Sequence, residues 1–133
     1  MSKADEIKAQ SLAGKPRILV VDDDPNIADT LKDIIEEWNY GVSTAQTVRE
    51  ALSQVEEASF NAMVVDFNLP DGSGLDIAVK VKEISPASRV ILMTGQAGLK
   101  MTEGPETIFS YLIKPVDPRE LKTILEKIFD SQR

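Results

Sequence analysis

The chain has 133 residues, 42% of them apolar, which suits one domain with its own core and argues against disorder. Its 22 acidic and 15 basic residues leave a net charge of -7, a poor basis for a nucleic-acid surface. With no cysteine and no histidine, it can hold no disulfide, no thiolate or imidazole metal site, no Ser-His or Cys-His pair and no phosphohistidine.

Met1-Ser2-Lys3-Ala4-Asp5-Glu6 lacks the apolar core of a signal peptide, and no apolar run is long enough to span a bilayer. A soluble protein of the cytoplasm, without membrane contact, is the expectation. Residues 1–16 are polar and end near Gly14 and Pro16, which reads as an N-terminal extension. A domain over 17–130 and a C-terminal stub at 131–133 are expected to follow. Arg17-Ile18-Leu19-Val20-Val21-Asp22 is a short apolar strand. Asp24-Pro25 caps and opens a helix along Ile27, Leu31, Ile34, Ile35 and Trp38. Gly41 to Ala45 is a weak second strand. Thr47-Val48-Arg49-Glu50 predicts a capping box, opening a helix with Val48, Ala51, Leu52 and Val55 on one face.

Ala62-Met63-Val64-Val65-Asp66 is the third strand and ends on a carboxylate. A helix over Leu75 to Ile84 stops near Ser85-Pro86, and Arg89 to Thr94 forms a fourth strand. Between Thr94 and Ser110 a crossover helix is due. Gly95, Gly98, Gly104 and Pro105 predict that it is short or irregular. Ser110 to Lys114 is the fifth strand, and Asp117-Pro118 starts a last helix along Leu121, Ile124, Leu125, Ile128 and Phe129. Continuous apolar strands alternating with helices predict a doubly wound parallel sheet.

In such a sheet the carboxyl ends of the strands share one edge, where ligands gather. Asp22, Asp23, Asp66, Thr94 and Lys114 all fall there. Three close carboxylates raise one another's pKa and call for an offsetting cation. An oxygen-only site of this kind suits Mg²⁺. A carboxylate nucleophile, a metal and a lysine are the components of phosphoryl transfer.

Four segments in order carry a resemblance over roughly residues 17–130. They are Ile18-Leu19-Val20-Val21-Asp22-Asp23-Asp24, Val64-Val65-Asp66-Phe67-Asn68-Leu69-Pro70-Asp71-Gly72-Ser73-Gly74, Leu92-Met93-Thr94-Gly95 and Tyr111-Leu112-Ile113-Lys114-Pro115. The chain resembles the receiver domain of two-component response regulators. The resemblance implies a flavodoxin-like five-stranded sheet of order 2-1-3-4-5. It implies that Asp66 is the phosphoacceptor, Asp23 a direct Mg²⁺ ligand, Asp22 a ligand through water or an orienter of Asp23, and Asn68 a ligand through its backbone carbonyl. It makes Lys114 the partner of phosphoryl oxygens and Thr94 their hydrogen-bond donor, and it sets Thr94 and Tyr111 as the switch pair. A cis peptide before Pro115 follows in the same way, and Asn68 with Gln96 would influence hydrolysis.

Each residue also has a plainer role open to it. Asp24 reads as a helix cap alone, Thr94 alone would pass for an ordinary strand end, and Tyr111 suits half-buried packing as well as switching. The implied donor is a histidine kinase or histidine phosphotransfer protein, because this chain has no histidine of its own. Two other functions compete. A haloacid-dehalogenase-type phosphohydrolase needs an acid two residues after its nucleophile, where this chain has Asn68. A flavin module needs a phosphate-binding first loop, where Asp22-Asp23-Asp24 would repel the phosphate. The chain ends just after its last predicted helix, compatible with a stand-alone regulator or with the receiver part of a longer one.

Overall fold

Strands β1 (Arg17–Val21), β2 (Gly41–Ala45), β3 (Ala62–Asp66), β6 (Arg89–Thr94) and β7 (Ile108–Ile113) form one parallel sheet in the order β2-β1-β3-β6-β7. This is the expected 2-1-3-4-5 order of the long strands. The structure, a computed structural model, describes residues 14–95 and 107–131. The expected irregular crossover helix, Gln96 and most of the N-terminal extension lie outside the described residues. Four helices are described: α1 (Pro25–Glu37), α2 (Val48–Glu57), α3 (Gly74–Ile84) and α4 (Pro118–Ser131). None is long and apolar enough to cross a membrane.

Alternate strand residues feed two cores. Ile18, Val20, Val64, Ile91, Met93 and Leu112 face α1 and α4. Leu19, Val21, Met63, Val65, Val90 and Leu92 face α2 and α3. Both faces of the central strands are therefore covered, which is why β1, β3 and β6 read as unbroken apolar runs. Each fully buried aliphatic side chain stabilises by about 1.5–3 kcal/mol. β2 is an edge strand, as is β7, and is only half-buried along most of its length, so its Gly-Val-Ser-Thr-Ala sequence gives a faint signal.

The caps explain where helices begin. Asp24 accepts a hydrogen bond from the Asn26 N–H at 2.9 Å, with Pro25 following. Trp38 closes α1 and packs against the core, and Asn39 beyond it adopts φ 73°, the left-handed conformation common after helix ends. Ile27, expected on the buried face of α1, is 37% exposed and lines an open groove instead. The capping box expected at Thr47 is half-formed: Thr47 accepts from the Glu50 N–H, but Glu50 reaches the Gln46 N–H. The complete box lies at Ser73 and Asp76, opening α3.

Candidate functional site

Strand register brings the polar residues together. Val21 pairs with Val65, so Asp22 and Asp66 leave the sheet side by side. Asp66 stands opposite Met93, which places Thr94 one step further along. Thr94 pairs with Ile113, and its carbonyl accepts the Lys114 N–H at 2.8 Å. Lys114 thus lies just past the end of β7 rather than inside the strand. The Lys114–Pro115 peptide bond is cis, as the resemblance implied.

The side chains converge on one ammonium group. Lys114 Nζ donates to Asp22 Oδ2 at 2.9 Å and to Asp66 Oδ2 at 3.0 Å. Asp22 is fully buried, and its Oδ1 accepts the Asp24 N–H at 2.9 Å. Asp66 is 7% exposed, and its Oδ1 accepts the Asn68 N–H at 3.3 Å. Asp23 faces solvent, yet Asp22, Asp23 and Asp66 each offer an oxygen within 4.8 Å of the others'. Two of the three carboxylates, those of Asp22 and Asp66, share the Lys114 ammonium.

The charges shape the titration of the pair. Burial pushes the Asp66 carboxyl above its ordinary range, helped by the Asp22 charge, while the hydrogen bond and charge of Lys114 pull it partly back. For Lys114 burial favours the neutral amine, but hydrogen bonds and charges from Asp22 and Asp66 prevail, and its pKa is raised. Thr94 is buried beside this group. Tyr111 is half-buried against the α2–α3 core, and burial raises its phenol pKa.

The segment after Asp66 has more structure than expected. β4 (Asn68–Leu69) and β5 (Gly72–Ser73) pair antiparallel as a small hairpin turning at Pro70-Asp71. At its base Gly74 donates its N–H to the Phe67 carbonyl at 2.9 Å. A Cβ on Gly74 would sit 2.6 Å from the Asp66 carbonyl oxygen and 2.8 Å from Leu92 Cδ2. Gly74→Ala is expected to cost about 2 kcal/mol, because backbone rather than a flexible side-chain tip must yield. A urea midpoint unchanged from wild type would show that α3 can back away freely.

Nothing in the sequence around Asp71 points to a functional role. Its carboxylate accepts the Val48 N–H at 2.8 Å and the Arg49 N–H at 3.0 Å, which hold its pKa below the ordinary range. No local motif announces a contact between residues more than twenty positions apart.

The chain matches the response regulator receiver domain family over residues 18–126. It is 35% identical over 112 residues to the transcriptional regulatory protein ZraR of Escherichia coli, covering 83% of this chain and 25% of that protein. The chain therefore spans about a quarter of the length of that relative. Among solved structures, it is similar to a receiver domain protein from Methanospirillum hungatei, with a TM-score of 0.78 and 34% identity over 90% of this chain and 98% of that one. It also resembles the response regulator TrrA of Thermotoga maritima, solved in complex with Mg²⁺-BeF. The TM-score there is 0.78, with 30% identity over 85% of this chain and 98% of that one.

Proposed function

The chain belongs to the response regulator receiver domain family, and from that premise we propose that Asp66 takes a phosphoryl group from a phosphohistidine on a partner protein. The observation that carries this reading is the bridge of Lys114 Nζ between Asp22 and Asp66, with Asp23 alongside. An Asp66 oxygen forms the bond to phosphorus in line as the phosphorus–nitrogen bond of the donor breaks, and the imidazole keeps that electron pair. The donor is a histidine kinase or histidine phosphotransfer protein, since this sequence contains no histidine.

The donor set fits a hard divalent cation. It offers only oxygen atoms, and among the described residues the three carboxylates are met by one ammonium, paired with Asp22 and Asp66. Asp22, Asp23, Asp66 and the backbone carbonyl of Asn68 would hold Mg²⁺. When bound it supplies charge neutralisation for the phosphoryl oxygens. Lys114 swings between carboxylate and phosphoryl oxygens as a mobile cation. Thr94 donates its hydroxyl to one of those oxygens after transfer, and Tyr111 follows the change through its packing. Phosphorylation then shifts an existing equilibrium between two shapes. Water returns Asp66 to its free carboxylate, so the domain catalyses only its own modification and reset. Absence of cysteine fits the cytoplasm as its compartment.

Acetyl phosphate with Mg²⁺ is expected to give one covalent phosphoryl adduct by intact mass, and chelation is expected to prevent it. No adduct with any phosphodonor, or one that survives Asp66→Asn, would refute the assignment.

A further inference from the structure

The N-terminus of α2 is completed by a residue from another part of the chain. A helix leaves its first N–H groups without internal partners. Thr47 serves the Glu50 N–H. The Val48 and Arg49 N–H groups both go to the two oxygens of Asp71, at 2.8 and 3.0 Å. A carboxylate at that position is also favoured by the helix dipole. Asp71 lies at the tip of the hairpin whose first strand contains Asn68.

That hairpin is too short to hold itself. It has only two paired positions, Asn68 with Ser73 and Leu69 with Gly72, and isolated hairpins are marginal in water even when longer. Its base is fixed by the Ser73–Asp76 capping box and by the Gly74 to Phe67 hydrogen bond. Its tip is fixed to α2 by Asp71. The neighbouring Gly72 lies close to both anchors, since a Cβ there would sit 2.8 Å from Asp76 Oδ2 and 3.3 Å from Val48 Cγ2.

We propose that Asp71 is a positioning residue: it latches the hairpin onto α2 and so steadies the backbone of Asn68 for the metal. The inference rests on the phosphoacceptor reading above. Asp71 is three residues from Asn68, touches none of the site carboxylates, and acts only through the hairpin backbone.

The test uses the whole chain, with Mg²⁺ titrated by calorimetry and amide hydrogen exchange read in the metal-free protein. Asp71→Ala is expected to expose the Val48 and Arg49 amides to fast exchange and to weaken Mg²⁺ binding by about tenfold, the size seen for supporting residues around metal sites. Asp71→Asn keeps one acceptor and is expected to fall between. The urea midpoint is expected to fall modestly, as on loss of a helix cap, with the fold retained. Fast-exchanging amides with unchanged Mg²⁺ affinity would overturn the positioning role, and amides still protected in Asp71→Ala would overturn the latch. A wild-type protein that binds no Mg²⁺ would overturn the phosphoacceptor reading and the metal role together. Failure confined to the variants overturns only the role of Asp71.

Discussion

Asp66→Asn is expected to abolish covalent phosphorylation and, in the same protein, to raise the unfolding temperature at neutral pH. The folded state holds the Asp66 carboxyl above its ordinary pKa, chiefly by burial. A raised folded pKa means that Asp66 adds stability below the ordinary carboxylate pKa of 3.8, and that this stability is lost as pH rises through the folded value. At pH 7 the ionised group is therefore a net cost to the fold. Asparagine removes the charge and keeps one oxygen, which can serve Lys114 or the Asn68 N–H, where the carboxylate gives each its own. A gain of about 1 kcal/mol would lift the midpoint by roughly 4 °C in a domain of this size. Melts at pH 7 and pH 4 check the sign, because the advantage of asparagine should shrink as wild-type Asp66 protonates. A variant less stable than wild type at pH 7 would mean that Asp66 is held by attraction rather than crowded by its neighbours.

Lys114→Ala is expected to be the most destabilising single change at the site. It strips the ammonium from Asp22, which has no exposure to water, and from Asp66 at once. Removing one partner of a buried pair costs about 3 kcal/mol or more, since the remaining charge stays desolvated. Typical domains have roughly 5–15 kcal/mol to lose, so the variant should remain folded at 25 °C. Adding Asp22→Asn should return part of the loss, since the double variant no longer buries an unpaired charge. The raised Lys114 pKa gives a second check. The stabilisation is complete below the ordinary lysine value of 10.5 and disappears as pH climbs through the higher folded one. Urea midpoints for the two single and the double variant decide the matter. Equal midpoints for Lys114→Ala and wild type would show that the bridge contributes nothing.

The sheet was legible because its three central strands, β1, β3 and β6, obey one rule. An apolar run covered on both faces leaves its first polar residue at the edge, so Asp22, Asp66 and Thr94 announced themselves by where the runs stop. Lys114 followed from the same logic, although the strand ends one residue before it. Proline after aspartate marked α1 and α4 without ambiguity. The capping box at Thr47 misled because its spacing is right, while Glu50 accepts the N–H of Gln46 instead. Ser73 with Asp76 escaped notice because the surrounding glycines suggest a loop. Ile27 sits at helical spacing with the core yet opens onto a groove, since periodicity alone does not show where the covering element ends. Asp71 was beyond reach for a different reason. Its partners are set by how the hairpin folds against α2, and local sequence carries no record of that distance.

The Lys114 to Asp22 bridge joins residues 92 positions apart, nearly the two ends of the described chain. In the sheet β3 and β6 lie between the strands that carry them, and a contact of such separation costs more loop-closure entropy than a local one. A partly synthesised or half-folded chain therefore carries only ordinary, well-hydrated carboxylates. Under the phosphoacceptor reading proposed above, competence to accept a phosphoryl group would then report completed folding.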